Sequence, residues 1–308
     1  MDIAMIARRI TQGRLATHFS SLRREDGLAS HMFTDDVHLG VMPLRSREAD
    51  NYRVVLAGKT EDNPKTIALL HSVQAYEQYS LGEIVAGAVQ EIAQRLAWHG
   101  RSLYEIIPDD NGQFELQSAT LERLIQLPWI VVQFVPRKDR EYWQRSLLVA
   151  ASQNTWRISI PDELGGYRAY KRILRTLRTS DRIAPEFWRR DLEQGKVNQT
   201  FDFSDFRRTT EVSEARATQV WGWPRRDYGG ENWTEIAHLY RILTFRWAQA
   251  KLREHIVTEL NSLLRRLQID NEIQINGLPV SSEIARLRAA MMDGTISFKE
   301  ASEGSNID

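Results

Sequence analysis

The stretch Trp221-Gly222-Trp223-Pro224-Arg225-Arg226-Asp227-Tyr228-Gly229-Gly230-Glu231-Asn232 decides how this chain is read. Pro224 and the Gly229-Gly230 pair prevent it from continuing as helix or strand, so it is a loop that holds Arg225 and Arg226 outside regular structure. It runs straight into a segment from Trp233 to about Gln268 that contains neither glycine nor proline. At about 1.5 Å rise per residue this segment predicts a rod of roughly 50 Å, several times the usual globular helix. Asn232 with Glu235 three residues on gives a capping-box start. Trp233, Ile236, Tyr240, Leu243 and Trp247, then Ile256, Leu260, Leu263 and Leu267, supply its apolar positions. A small enzyme seldom needs such a rod, whereas a ring-forming or channel-lining protein often does.

N-terminal to the loop, Tyr167 to Arg182 places Tyr167, Tyr170, Ile173, Leu174 and Leu177 on one helical face and Arg168, Lys171, Arg172, Arg175 and Arg178 on the other. This is a basic amphipathic helix. The stretch 182–205 reads as polar and irregular, with Pro185 and Gly195, and a second helix is expected over Phe206 to Val220. Earlier still, Ser80 to Trp98 repeats Leu81, Ile84, Val85, Ala88, Ile92 and Leu96 at helical spacing and meets Gly100. Leu103 to Ile107, the turn Asp109-Asp110-Asn111-Gly112, and Gln113 to Leu116 read as a hairpin. Arg53 to Ala57, Trp129 to Val135 and Thr155 to Ile160 read as strands. A final short helix from Ser282 to Met292, and the capping box Ser297-Phe298-Lys299-Glu300, close the pattern. The expected fold class is therefore α+β: a mixed body (1–165), a helical region (166–222), a loop (223–232), and the long helix with a C-terminal helical segment (233–308).

A chain of 308 residues with 42% hydrophobic content can bury one large core or two smaller ones, which excludes general disorder. It has no apolar run of membrane-spanning length and no signal-peptide pattern at its start, so a cytoplasm-like compartment is expected. Cysteine is absent; disulfides, thiolate metal sites and cysteine nucleophiles are thereby excluded. The formal charge is zero, yet arginine outnumbers lysine 34 to 7. Residues 137–226 hold 19 basic and 12 acidic side chains, against 22 and 29 in the remainder. Such polarity suits contact with nucleic acid on one side, or pairing of opposite faces between copies. A solvated basic surface is the plainer reading of the same residues.

Catalytic signatures are sparse. Gly58-Lys59-Thr60 follows a strand, but the phosphate-cradling loop needs a glycine where Arg53 stands. Asp35-Asp36-Val37-His38 is the one local cluster with metal-ligand residue types, expected as a solvated turn. Asp109 and Glu115 loosely echo the paired carboxylates that hold a divalent ion in many nucleases; a plain hairpin is the simpler account. No nucleophile elbow or dinucleotide fingerprint occurs. Trp221, Trp223, Trp233 and Trp247 are expected in the core rather than as base-stacking platforms.

Taken in order, these pieces resemble the portal proteins of tailed phages, the ring-forming subunits through which DNA enters and leaves the capsid. The resemblance rests on Ala97-Trp98-His99-Gly100 followed by Leu103-Tyr104-Glu105-Ile106 and the strand region to Val135. It continues through Arg207 to Val220, Trp221-Gly222-Trp223-Pro224, the glycine-containing loop and the long helix with Glu259-Leu260-Asn261, and it ends on Met292 to Ala301. It implies a wing-like body, stem helices, a tunnel-like loop and a crown-like C-terminal segment. It further implies a closed ring of about twelve copies, in the virion at the portal vertex, assembled in the host cytoplasm. Implied partners are double-stranded DNA read without sequence specificity, capsid protein, a packaging terminase and a head–tail adaptor, with no cofactor, metal or membrane. Arg225, Arg226, Tyr228, Gly229 and Gly230 would face DNA from the tunnel loop, and Arg168, Lys171, Arg172, Arg175 and Arg178 would line the stem. A magnesium-dependent nuclease using Asp109 and Glu115, and an arginine-rich nucleic-acid-binding adaptor, are the alternatives.

Overall fold

Hydrophobic periodicity and capping account for most of the elements. The computed structural model describes residues 14–20, 27–42, 52–74, 80–109, 113–140, 146–194, 203–225 and 234–303, with backbone alone for 181–194, 203–209 and 302–303. It is a mixed α+β chain whose strands lie in small antiparallel sheets. The chain forms two compact units, each assembled from separated segments: Met1–Glu25, Asp50–Ser159 and Ile256–Asn276 in the first, and Asp26–Ala49, Ile160–His255 and Gly277–Asp308 in the second. The linear division expected from sequence is thus interleaved, because strand and helix partners come from distant parts of the chain.

In the first unit, β1 (Arg53–Gly58) leads to helix α1 (Asn63–His71), and α2 (Leu81–His99) precedes β2 (Arg101–Pro108) and β3 (Phe114–Ala119). Helix α1 begins around Pro64, which occupies the first helical turn, where a missing N–H costs nothing. Helix α2 matches expectation closely. Ser80 and Glu83 form the reciprocal capping box, and Gly100 ends the helix at φ 74°. Its inner face, Ile84, Val85, Ala88, Val89, Ile92, Ala93 and Leu96, is buried throughout.

The hairpin β2–β3 pairs Ile107 with Glu115 and Pro108 with Phe114, and β7 (Thr155–Ser159) flanks β2 on its other side. A second sheet joins β4 (Leu124–Gln126), β5 (Ile130–Phe134) and β6 (Leu147–Ala151). Leu15, Phe19, Leu103, Ala119, Val131, Val135 and Leu148 form a core cluster between these strands and the N-terminal segment. The fully buried Gln133 fastens that segment, accepting from the Ala16 N–H at 2.7 Å and donating to the Thr120 carbonyl at 2.9 Å.

In the second unit, α3 (Leu28–Leu39), α4 (Gly166–Gln194) and α5 (Phe203–Ala217) accompany α6 (Glu235–Arg266), α7 (Ser281–Met292) and α8 (Phe298–Glu303). Here α4 runs through Pro185 to Gln194, longer than expected, because no glycine intervenes before Gly195. Helix α5 ends earlier, at Ala217, where a tight turn through Thr218 to Gly222 takes over. Helix α6 has 32 residues, about 48 Å at 1.5 Å each. Its cap is the Thr234 hydroxyl, which accepts from the Ala237 N–H at 3.2 Å; the expected cap Asn232 lies outside the described residues. Glu235 to His255 belongs to the second unit, and Ile256 to Arg266 continues into the first, where it meets β8 (Asn271–Asn276), the antiparallel partner of β1. The Ser297–Glu300 capping box forms as expected, with Glu300 N–H on Ser297 Oγ at 3.2 Å and Ser297 N–H on Glu300 Oε2 at 2.7 Å.

Candidate nucleic-acid interface

The basic face of α4 is built by helical spacing alone. Tyr170, Ile173, Leu174 and Leu177 are buried, while Arg168, Lys171, Arg172 and Arg175, at i, i+3, i+4 and i+7, are exposed. None of these four cations is ion-paired among the described residues, and Lys171 Nζ lies 5.9 Å from the Tyr167 ring centroid. Arg178 departs from the expected set, since it is only half exposed. Thr176 and Thr179 turn their hydroxyls inward onto the helix carbonyls of Arg172 and Arg175, leaving the guanidinium groups as the polar surface.

The buried face of α4 packs against an aromatic nest. Tyr170, Phe33, Trp221 and Trp223 meet with ring centroids 5.2 to 5.9 Å apart, the edge-to-face and tilted geometries that aromatic quadrupoles favour. Both tryptophans are fully buried, as expected of core residues. Trp223 Nε1 donates to Asp36 Oδ2 at 2.9 Å. Gly222, at φ 67°, is pinched: a Cβ there would stand 2.7 Å from the Arg241 carbonyl oxygen and 2.5 Å from Thr244 Cβ. The bend Trp221-Gly222-Trp223-Pro224 is therefore fixed by packing before the loop begins.

Arg225 is largely buried rather than held out in an open loop. Its guanidinium is ion-paired with Glu214 of α5, the pair having 18% and 2% side-chain exposure, and its backbone is left-handed at φ 40°. Glu214 also accepts from Ser180 Oγ of α4 at 2.9 Å, so one carboxylate ties α4, α5 and the loop's first residues together. Opposite it, the buried Arg241 of α6 donates to the Trp223 carbonyl, to Ala215 O at 3.3 Å and to Thr218 Oγ1 at 3.2 Å. Arg225 thus anchors the loop's base, its charge neutralised by Glu214 rather than presented outward. Arg226, Tyr228, Gly229 and Gly230 lie outside the described residues. Sequence reasoning misses Glu214 and Arg241 because nothing local marks a helical glutamate or arginine as buried.

The alternative sites resolve into structural roles. Asp109 Oδ1 accepts from the Gln113 N–H at 2.6 Å and its own N–H donates to Gln113 O, which makes it a turn former; Glu115 is exposed on β3. Asp35, Asp36 and His38 sit on α3, not in a turn, and are drawn apart: Asp35 pairs with His31 at 3.3 Å, Asp36 accepts from Trp223, and His38 Nδ1 contacts Thr34 O at 2.8 Å. Lys59 reaches Asp270 at 3.1 Å. Among the described residues no group of three or more histidines and carboxylates could hold a metal ion, and no helix is long and apolar enough to cross a membrane.

Glu259-Leu260-Asn261, the motif on the long helix, has a clear structural basis. Leu260 is fully buried, and Asn261 both accepts from Ile273 N–H at 2.8 Å and donates to Ile273 O at 3.0 Å. Further along α6, the buried Arg253 donates to the carbonyls of Val41 and Pro279, and burial lowers its pKa, opposed by the neighbouring Glu254. Compared with protein-family models and with curated proteins, the chain gives no match to either.

Proposed function

We propose that this chain is a portal-type subunit that forms a ring through which double-stranded DNA passes. The observation that supports this best is the order of the helical pair α4 and α5, the glycine-pinched bend at Trp221 to Pro224, and the 32-residue helix α6. In that reading the function is mechanical: a separate packaging ATPase supplies the work, and the ring sits at a capsid vertex beside capsid protein and a tail adaptor.

Arg168, Lys171, Arg172 and Arg175 then serve as the DNA-facing set. Their exposed guanidinium and ammonium groups attract phosphates regardless of base sequence. Four such groups give an attraction that falls steeply with salt, as a sliding substrate requires, and a chain of zero net charge adds no further pull. Arg225 takes a supporting part, holding the loop's base against α5.

Negative-stain imaging with mass measurement of the purified chain tests the reading. Rings with a central hole wide enough for duplex DNA are the expected result; a monomer at every concentration and ionic strength tried would sink it.

A further inference from the structure

A cleft of about 630 Å³ opens within the first unit, between the β4–β5 connection, β7 and the last turns of α6. Its floor is apolar, with Trp156 and Leu263 buried, and its wall carries Arg157 and Arg266 beside Glu259. Arg157 donates to Gln126 Oε1 at 2.7 Å and Arg266 to the Thr155 carbonyl at 3.0 Å. Neither guanidinium is ion-paired among the described residues, and each keeps further N–H donors for a partner. The rim is unusually apolar for solvent-facing chain: Leu127 is 48% exposed and the nearby Trp129 is 82% exposed. Aromatic and arginine side chains grouped in this way are characteristic of protein interfaces.

Charge decides what can sit there. A twofold pairing of the cleft with itself would bring four guanidinium groups together, so an isologous interface is repelled. A nucleic-acid strand would bring repeated phosphates onto Glu259. The complementary occupant is a peptide surface with apolar side chains and separated carboxylates, and the chain presents one: the turn from α7 into α8, with Met292 60% exposed, Phe298 42% exposed, and the exposed Asp293 and Glu300. We infer that the cleft receives the Met292–Glu300 segment of a second copy, Arg157 and Arg266 taking its carboxylates while Leu127 and Trp129 cover Met292 and Phe298. Because the two surfaces differ, the interface is heterologous, and repetition of it closes a ring or extends a filament. This interface rests on the ring-forming reading above and supplies the junction that reading needs.

The cysteine-free chain makes the test direct. One preparation carries Ser262→Cys, at an exposed position lining the cleft, and another carries Met292→Cys; they are mixed and oxidised, with each alone as control. The mixed sample is expected to give disulfide-linked dimers at several times the yield of either control. In parallel, Arg157→Glu with Arg266→Glu should cut the assembled fraction at least tenfold by mass photometry, with circular dichroism unchanged. Adding Asp293→Arg to that background should restore part of it. Rings that persist through the charge reversal, with no excess cross-link in the mixture, overturn this interface and leave the portal reading standing. A wild-type chain that is monomeric throughout, with no cross-link, overturns both.

Discussion

The arginines of α4 and those of α6 are the same residue with opposite fates. On α4, Arg168, Arg172 and Arg175 stand in water with apolar residues behind them. On α6, Arg241 and Arg253 are about nine-tenths buried and direct their N–H groups to main-chain carbonyls at the last turn of α5 (Ala215) and in irregular segments that have no ladder partner (Trp223, Val41 and Pro279). The difference teaches that an arginine-rich composition is two populations. One can meet phosphate; the other substitutes for secondary structure, because a guanidinium has five donors and a bend leaves carbonyls unmet.

The largest effect that would break this division comes at the buried carboxylate. Glu214→Ala removes the buried carboxylate that meets both Arg225 and Ser180 and should cost about 3–5 kcal/mol, read by urea denaturation; a loss below about 1 kcal/mol would show that the pair is solvated in solution. Next, Arg253→Leu strands the carbonyls of Val41 and Pro279. Its expected cost is about 2–3 kcal/mol, with DNA binding per folded molecule unchanged.

The exposed set should behave the other way. Replacing Arg168, Lys171, Arg172 and Arg175 together by glutamine should move stability by only about 0.5 kcal/mol. The salt dependence of DNA binding should meanwhile flatten, by roughly 0.9 in the log–log slope for each phosphate that the variant no longer neutralises. A variant that binds DNA with the parent's slope would show that this face is only solvated.

The smallest effect sharpens the comparison from outside both sets. Burial pushes the Tyr104 hydroxyl up to about 12. The folded pKa exceeds the unfolded one near 10, so its contribution is fully present below about pH 10 and is lost as pH rises toward 12. Tyr104→Phe should remove about 1.4 kcal/mol per pH unit of that alkaline loss and change little at pH 7. An unchanged slope between pH 10 and 12 would mean that the ring is reached by hydroxide.

How much of this is legible in the sequence follows from the same contrast. The α4 face can be read because its charges and its apolar residues alternate with the helical period. Helix α6 is surrounded in its middle turns, where Arg241, Leu243, Thr244, Phe245, Ala248, Gln249 and Leu252 are all buried, so the period tells length but not surroundings. The capping box at Ser297 is readable since both partners lie within four residues. The Arg225–Glu214 pair is not, because a loop arginine carries no sign of which helical carboxylate it will meet. Strand β8 alternates Asn271, Ile273 and Ile275 with polar residues in the ordinary way, but its partner β1 lies more than 200 positions earlier, and pairing over that distance leaves no local trace.

Asn261 has one more consequence. By meeting both the N–H and the C=O of Ile273, its side-chain amide acts as a one-residue strand laid along the outer edge of β8. An edge strand with open peptide groups is a template for pairing with another chain. The long helix therefore blunts that edge at its buried centre, so Asn261→Leu, similar in size but unable to pair, should turn a well-behaved chain into one that associates through strand addition.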